Sequence, residues 1–190
     1  MGGPKPSAEF IVHAAACAPR PTTGMEITVR VGSRSKTLMV TGDRSWTATG
    51  APGLPAPFVR LPITYRNAFG GPGHAFNPVG KGLRAEADGR HPLPNIQPPG
   101  KAVTSPQEKP MPSGLAPYPA AWPQRQSLLG HFDGAWLAER WPDLPADASP
   151  DYFYTAPEDQ RLQGFFRGDE EILLAGMHPE KSIIVSALPR

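Results

Sequence analysis

A chain of 190 residues with sixteen aromatic side chains is long enough to bury a core, so its 26 prolines and 20 glycines, about a quarter of the sequence, need not mean disorder. They do exclude long helices, because a proline interrupts nearly every window, and they favour one loop-rich, mostly β domain over 1–190. The formal charge is only +2 but uneven, with eleven basic and five acidic side chains in residues 1–95 against eight and twelve in 96–190: either the two halves face each other, or the surface is polarised for a charged protein partner.

In chain order, residues 1–7 (MGGPKPS) read as a flexible start. Glu9–Ala16 is a first strand. Met25–Val31 and Lys36–Val40 alternate apolar and polar residues around Gly32-Ser33-Arg34-Ser35 and predict a hairpin. Gly42-Asp43 then turns into Arg44–Thr47, with Trp46 as a buried anchor, which would complete a three-stranded meander. Beyond a Pro/Gly linker, Val59–Gly82 (VRLPITYRNAFGGPGHAFNPVGKG) is the stretch around which the chain is organised. Val59, Leu61, Ile63 and Tyr65 alternate as one strand face. The alternation stops at Phe69-Gly70-Gly71-Pro72-Gly73, a turn held by Phe69 and Phe76.

Residues 82–114 are rich in Pro, Gly and charge around a Leu93–Ile96 island and predict a mobile, extended loop. Asp133–Trp141 is the one short helix, with Asp133 as cap and Pro142 as stop. Ala156–Gln160 reads as one helical turn. Glu171–Gly176 and Ser182–Leu188 are two late strands joined by Met177–Glu180. The sum is a sandwich-like arrangement of antiparallel sheets with long Pro/Gly-rich loops.

Catalytic and metal templates find little to hold. The P-loop spacing fails at Ala75 and Gly82, and neither a G-x-S-x-G elbow nor H-E-x-x-H is present. The histidines never sit two to four residues apart, so no metal site is expected, and no cofactor. His74 lies in the glycine turn, where pinning the loop outweighs binding. Glu158-Asp159 complements a helix start more readily than it forms an acid–base pair. Arg30, Arg34 and Lys36 lack the interleaved aromatics of a nucleic-acid platform and suit a solvated hairpin edge, so neither nucleic acid nor membrane is an expected partner. Trp122, Trp136 and Trp141 read first as core anchors and second as a ligand groove. The lone Cys17, with no leader or membrane-spanning apolar run in view, favours the cytoplasm.

A series of short motifs then carries a resemblance. Arg60–Gly71 (RLPITYRNAFGG) is its strongest part, followed in order by Asn77–Gly82, Leu93-Pro94-Asn95, Trp122–Arg125, Phe132-Asp133 with Trp136, Asp151-Tyr152-Phe153, Ala156–Gln160 and Gly176–Pro179. In that order and spacing the chain resembles the bacterial adaptor family of unknown-function domains encoded beside type VI secretion effectors. The resemblance implies a non-catalytic adaptor or chaperone that holds a type VI effector protein and loads it onto a PAAR-type or trimeric spike protein. It assigns no catalytic residues. It also implies that this chain is a part or a short version of a longer domain. Tyr65, Phe69, Gly70, Gly71, His74, Phe76 and Trp122 are the candidate protein-binding region. Two rival readings remain: an enzyme, such as a hydrolase, in which His74, His131 or His178 meets a carboxylate in a deep pocket, and a carbohydrate-binding or structural β module with an exposed tryptophan platform.

Overall fold

A computed structural model describes residues 5–179 and 184–186. Its strands are β1 (Glu9–Ile11), β2 (Ala14–Thr22), β3 (Gly24–Val31), β4 (Arg34–Thr41), β5 (Phe58–Pro62), β6 (Phe69–Gly70), β7 (Lys81–Gly82), β8 (Ile96–Gln97), β9 (Ile172–Ala175), β10 (Met177–Pro179) and β11 (Ile184–Ser186). The helices are α1 (Pro123–Gln126) and α2 (Gly134–Glu139), with short 3-10 turns at Tyr65–Asn67, Pro150–Phe153 and Glu158–Gln160. Two antiparallel sheets, in orders β10-β2-β5 and β8-β4-β3-β9, supply the core; β1 pairs with β11, and β6 with β7 in parallel. The mostly β, sandwich-like expectation holds, with one helix more than expected.

The core follows from strand alternation. Ile27, Val29 and Val31 of β3 and Leu38 and Val40 of β4 turn one face inward, where they meet Ala14 and Ala16 of β2 and Leu61 of β5. The expected hairpin is present, but its turn is tighter than the four residues anticipated: Val31 already pairs with Arg34. The first strand is two strands. The second runs through Pro19 and Pro21, which are tolerated because the pairing register shifts between Cys17 and Thr22, where ladder donors are not required.

Three other expectations are corrected. Arg44–Thr47 does not form the third strand of a meander. Leu93 N–H donates to the Arg44 carbonyl at 2.9 Å and Trp46 N–H to the His91 carbonyl at 3.0 Å, and Trp46 is half-buried. The 82–114 segment is not one uniform loop, because residues 92–97 are buried and β8 extends the sheet beside β4. Met177–Pro179, expected as a connector, is strand β10. Gly176 between β9 and β10 is the corner at which the chain passes from one sheet to the other. Its φ is 71°, and a Cβ there would stand 2.7 Å from the Glu26 carbonyl oxygen. Of the expected strand Ser182–Leu188, only residues 184–186 lie among the described residues.

Side chains, rather than ladders, tie the irregular segments to this frame. Gln160 is fully buried; its Nε2 donates to the Phe10 and Leu115 carbonyls at 2.8 and 3.1 Å, while its Oε1 accepts from Lys36 Nζ at 2.9 Å. Lys36 also reaches Asp159 at 2.7 Å. Burial pulls the Lys36 ammonium below its usual pKa, against the opposing pull of Asp159. The buried Glu9 carboxylate accepts from the backbone and hydroxyl of Thr155, the backbone of Ala156, and Lys5. Its desolvation alone would raise the pKa, but these donors outweigh it and hold the group below the ordinary value.

Replacing Gln160 with alanine removes its bonds to the Phe10 and Leu115 carbonyls and to Lys36, while Leu115 keeps Val12 N–H at 3.0 Å and Lys36 keeps Asp159, and is expected to cost about 2 kcal/mol in urea unfolding; a loss below about 1 kcal/mol would contradict the assignment. For Glu9 the folded pKa is depressed, so its contribution is present above the ordinary value of 4.5 and is lost as pH falls through the lower folded value. The stability advantage of the native chain over Glu9→Gln is therefore expected at pH 7 and should shrink steadily on acidification below 4.5.

Candidate functional site

The glycine-rich turn closes around Asn77. Its buried side-chain amide donates to the Tyr65 and Phe69 carbonyls at 2.7 and 2.9 Å, and its backbone carbonyl accepts from Gly71 N–H at 2.9 Å. Gly70, with φ at 151°, is required here: a Cβ would lie 2.2 Å from the Asn77 carbonyl oxygen. His74 Nδ1 accepts from Asn77 N–H at 3.2 Å, which places the ring proton on Nε2, and the ring meets Phe69 edge-on at 5.6 Å. Burial lowers the His74 pKa, and Lys109 adds to the effect. His74 pins the loop.

Tyr65, Tyr118 and Trp122 form a second aromatic group, with ring centroids 4.9, 5.2 and 5.5 Å apart. Trp122 leads into α1, and Arg125 on that helix is buried. Its guanidinium donates to the Tyr118 carbonyl at 2.8 Å and the Tyr152 carbonyl at 2.6 Å, with the Tyr152 ring 5.1 Å away. Arg125 thereby joins the two ends of the excursion that follows. Between Phe76 of the glycine turn, Arg125, and the 151–161 segment lies a groove of about 330 Å³, with Arg161 packed 4.0 Å over the Tyr154 ring.

Beyond α1 the chain makes an arm, residues 128–149, closed at its base where Ser149 N–H donates to the Leu128 carbonyl at 2.8 Å. Asp133 caps α2 by accepting from Trp136 N–H at 2.8 Å, as expected from the sequence. Trp136 Nε1 donates to the Asp143 carbonyl, and Arg140 Nε to the Leu144 carbonyl. His131 Nδ1 stands 2.5 Å from an Asp147 carboxylate oxygen, and that hydrogen bond raises the imidazole pKa. Within 128–149 only Pro145 is buried.

Of the seven candidate contact residues, Tyr65, Phe69, Gly70, Gly71 and Trp122 are buried, so they frame the surface instead of forming it. His74 and Phe76 are half-buried, and Phe76 alone of the seven lines the groove. Trp141 is not a core anchor: it is 66 % exposed, beside Leu137 at 63 %. Sequence reasoning assigned no role to Asn77, Arg125 or Gln160. The signal available was their position inside the short motifs, next to the prolines and glycines that leave backbone groups for a side chain to satisfy.

Among the described residues His131 is the histidine shown to meet a carboxylate, and it does so on the open arm. The groove of about 330 Å³ beside it is lined by Asp133, Trp136, Glu139, Arg140 and Pro145 among others, with no serine, threonine, cysteine or lysine side chain. Among the described residues no three His, Cys, Asp or Glu side chains gather as a metal centre would require, and no helix is long and apolar enough to cross a membrane.

A bacterial family described as "uncharacterized protein conserved in bacteria", DUF2169, matches residues 1–190. The chain belongs to that family. No curated protein and no solved structure matches this DUF2169 chain.

Gly70→Ala is expected to cost at least about 3 kcal/mol or to abolish folding, because the added Cβ collides with rigid backbone, whereas Gly73→Ala meets only the end of Arg84 and should cost about 1 kcal/mol for its positive φ. Thermal melts of the pair measure the contrast; equal losses would contradict the close approach.

Proposed function

We propose that this DUF2169 chain is a non-catalytic adaptor or chaperone that binds a type VI secretion effector and helps load it onto a PAAR-type or trimeric spike protein. The observation that carries the reading is how the ordered motifs are used. Asn77, Arg125, Glu9 and Gln160 direct hydrogen bonds to the chain's own backbone and so serve to hold its shape. What the frame presents outward is irregular loops and an arm with exposed aromatic and aliphatic side chains, which suits gripping another protein. The link to type VI secretion comes from the motif series, and the cytoplasm, where effectors are loaded, is the proposed compartment.

A second reading, a carbohydrate-binding or structural β module, draws on the exposed Trp141. It is weaker because the strongly exposed apolar side chain of α2, Leu137 at 63 %, makes no hydrogen bonds to a sugar. The adaptor reading is tested by co-expressing the tagged chain with the effector and spike proteins encoded beside it. Stable co-purification of at least one is expected. Folded protein that captures none of them overturns the reading, and retention by a glycan array instead would establish the second.

A further inference from the structure

We propose that the arm at 128–149 is the contact surface of this protein, and that it receives a cationic, amphipathic segment of a protein partner. The inference deepens the adaptor reading: it rests on that reading for the existence of a partner and adds the chemistry of the segment bound. Three observations on the arm converge.

The first is exposed apolar area concentrated in one short stretch. Phe132, Leu137 and Trp141 are 52, 63 and 66 % exposed. Phe132 meets Trp136 edge-on at 4.8 Å; Leu137 lies on α2, and Trp141 follows two residues after that helix ends. Large aromatic and aliphatic groups left in water this close together mark contact surfaces, and tryptophan is prominent among interface anchors.

The second is charge. Between residues 131 and 147 four carboxylates, Asp133, Glu139, Asp143 and Asp147, stand against one guanidinium, Arg140, and all five side chains are exposed. Asp147 is engaged by His131; Glu139 and Asp143 leave their negative charge to solvent at the rim of the aromatic patch. An anionic rim around tryptophan favours Lys and Arg, which can pair with the carboxylates and lie over the indole face. It disfavours the anionic surface of a membrane.

The third is a built support. The His131–Asp147 contact, the Trp136 indole to the Asp143 carbonyl, and Arg140 Nε to the Leu144 carbonyl fix the arm internally, while Arg125 seats its base. Two grooves of about 330 and 490 Å³ adjoin on the arm and share Arg140, Pro145 and Ala146; Leu144, Pro150 and Phe153 make the larger one mainly apolar. A surface held in shape before binding loses less entropy on association.

The test uses the whole chain and two probe peptides, one of leucine and lysine at helical spacing and one in which glutamate replaces every lysine. Binding is read by calorimetry and by tryptophan fluorescence. The leucine–lysine peptide should bind and weaken with added salt, and the leucine–glutamate peptide should not bind. Leu137→Ser with Trp141→Ser, and separately Glu139→Lys with Asp143→Lys, should each weaken binding about tenfold or more. These side chains are exposed, so the folded state is retained, which circular dichroism checks. Leu54→Ser removes a 95 % exposed leucine elsewhere and should leave binding unchanged. Unchanged affinity in either arm variant, equal binding of both peptides, self-association abolished by the Leu137/Trp141 pair, or arm-dependent binding to phosphatidylserine vesicles or to glycans would each overturn the proposal. Co-purification separates it from the adaptor reading: an arm variant that still holds the neighbouring effector or spike protein as well as the native chain does overturns the arm alone, whereas a native chain that holds neither overturns the adaptor reading, with the peptide measurements still deciding the arm.

Discussion

Gln160 sits with no exposure where β1, β4 and the 115 region converge, and the need to satisfy buried polar groups of three separate segments falls on this one side chain. This is the constraint behind the whole fold. A chain with a quarter of its residues Pro or Gly leaves many backbone groups without a strand or helix partner, and a buried unpaired group costs more than most packing contacts return. Glu9, Asn77, Arg125 and Gln160 answer it in four places. Each is a multivalent polar side chain, nearly or wholly buried, that takes two or more backbone partners.

The same constraint explains what could be read in the sequence. The β3–β4 hairpin was legible because one sheet face is buried and alternation records it residue by residue. The cap at Asp133 and the turn at Gly70-Gly71 were legible because capping oxygens and paired glycines are local chemistry. Residues 92–97 were not: their partners are Arg44, Thr41 and Asn67, so composition alone gave a loose loop where the backbone is stitched on two sides. Strand β10 was missed for a related reason. Its identity depends on Gly176 turning the chain between sheets, and no periodicity in three residues can announce that.

The candidate site was half legible. Attention to Val59–Gly82 found a tightly constrained backbone, and its residues proved to be the frame: Tyr65 and Phe69 are buried, as is Trp122 packed on Tyr65, and His74 holds Asn77. Tryptophan was the misleading signal. Its size makes burial the default expectation, yet Trp122, Trp46 and Trp141 span buried, half-buried and exposed positions, and only tertiary context separates them.

That separation bears on how a protein of this kind divides its labour. Motifs made of glycine, proline, asparagine and buried charge are visible at a distance because each fixes a backbone shape that few other residues permit. Contact residues such as Leu137 and Trp141 obey no such restriction; their neighbours need only keep the arm in place, which Arg125 does from its base by joining the Tyr118 and Tyr152 carbonyls. A scaffold built this way can exchange its outer side chains without disturbing the network inside. The uneven charge follows the same division. The positive excess of the first half is partly neutralised within the fold, through Lys36 with Asp159 and Arg30 with Glu171, whereas Glu139 and Asp143 of the arm remain available to whatever the arm meets.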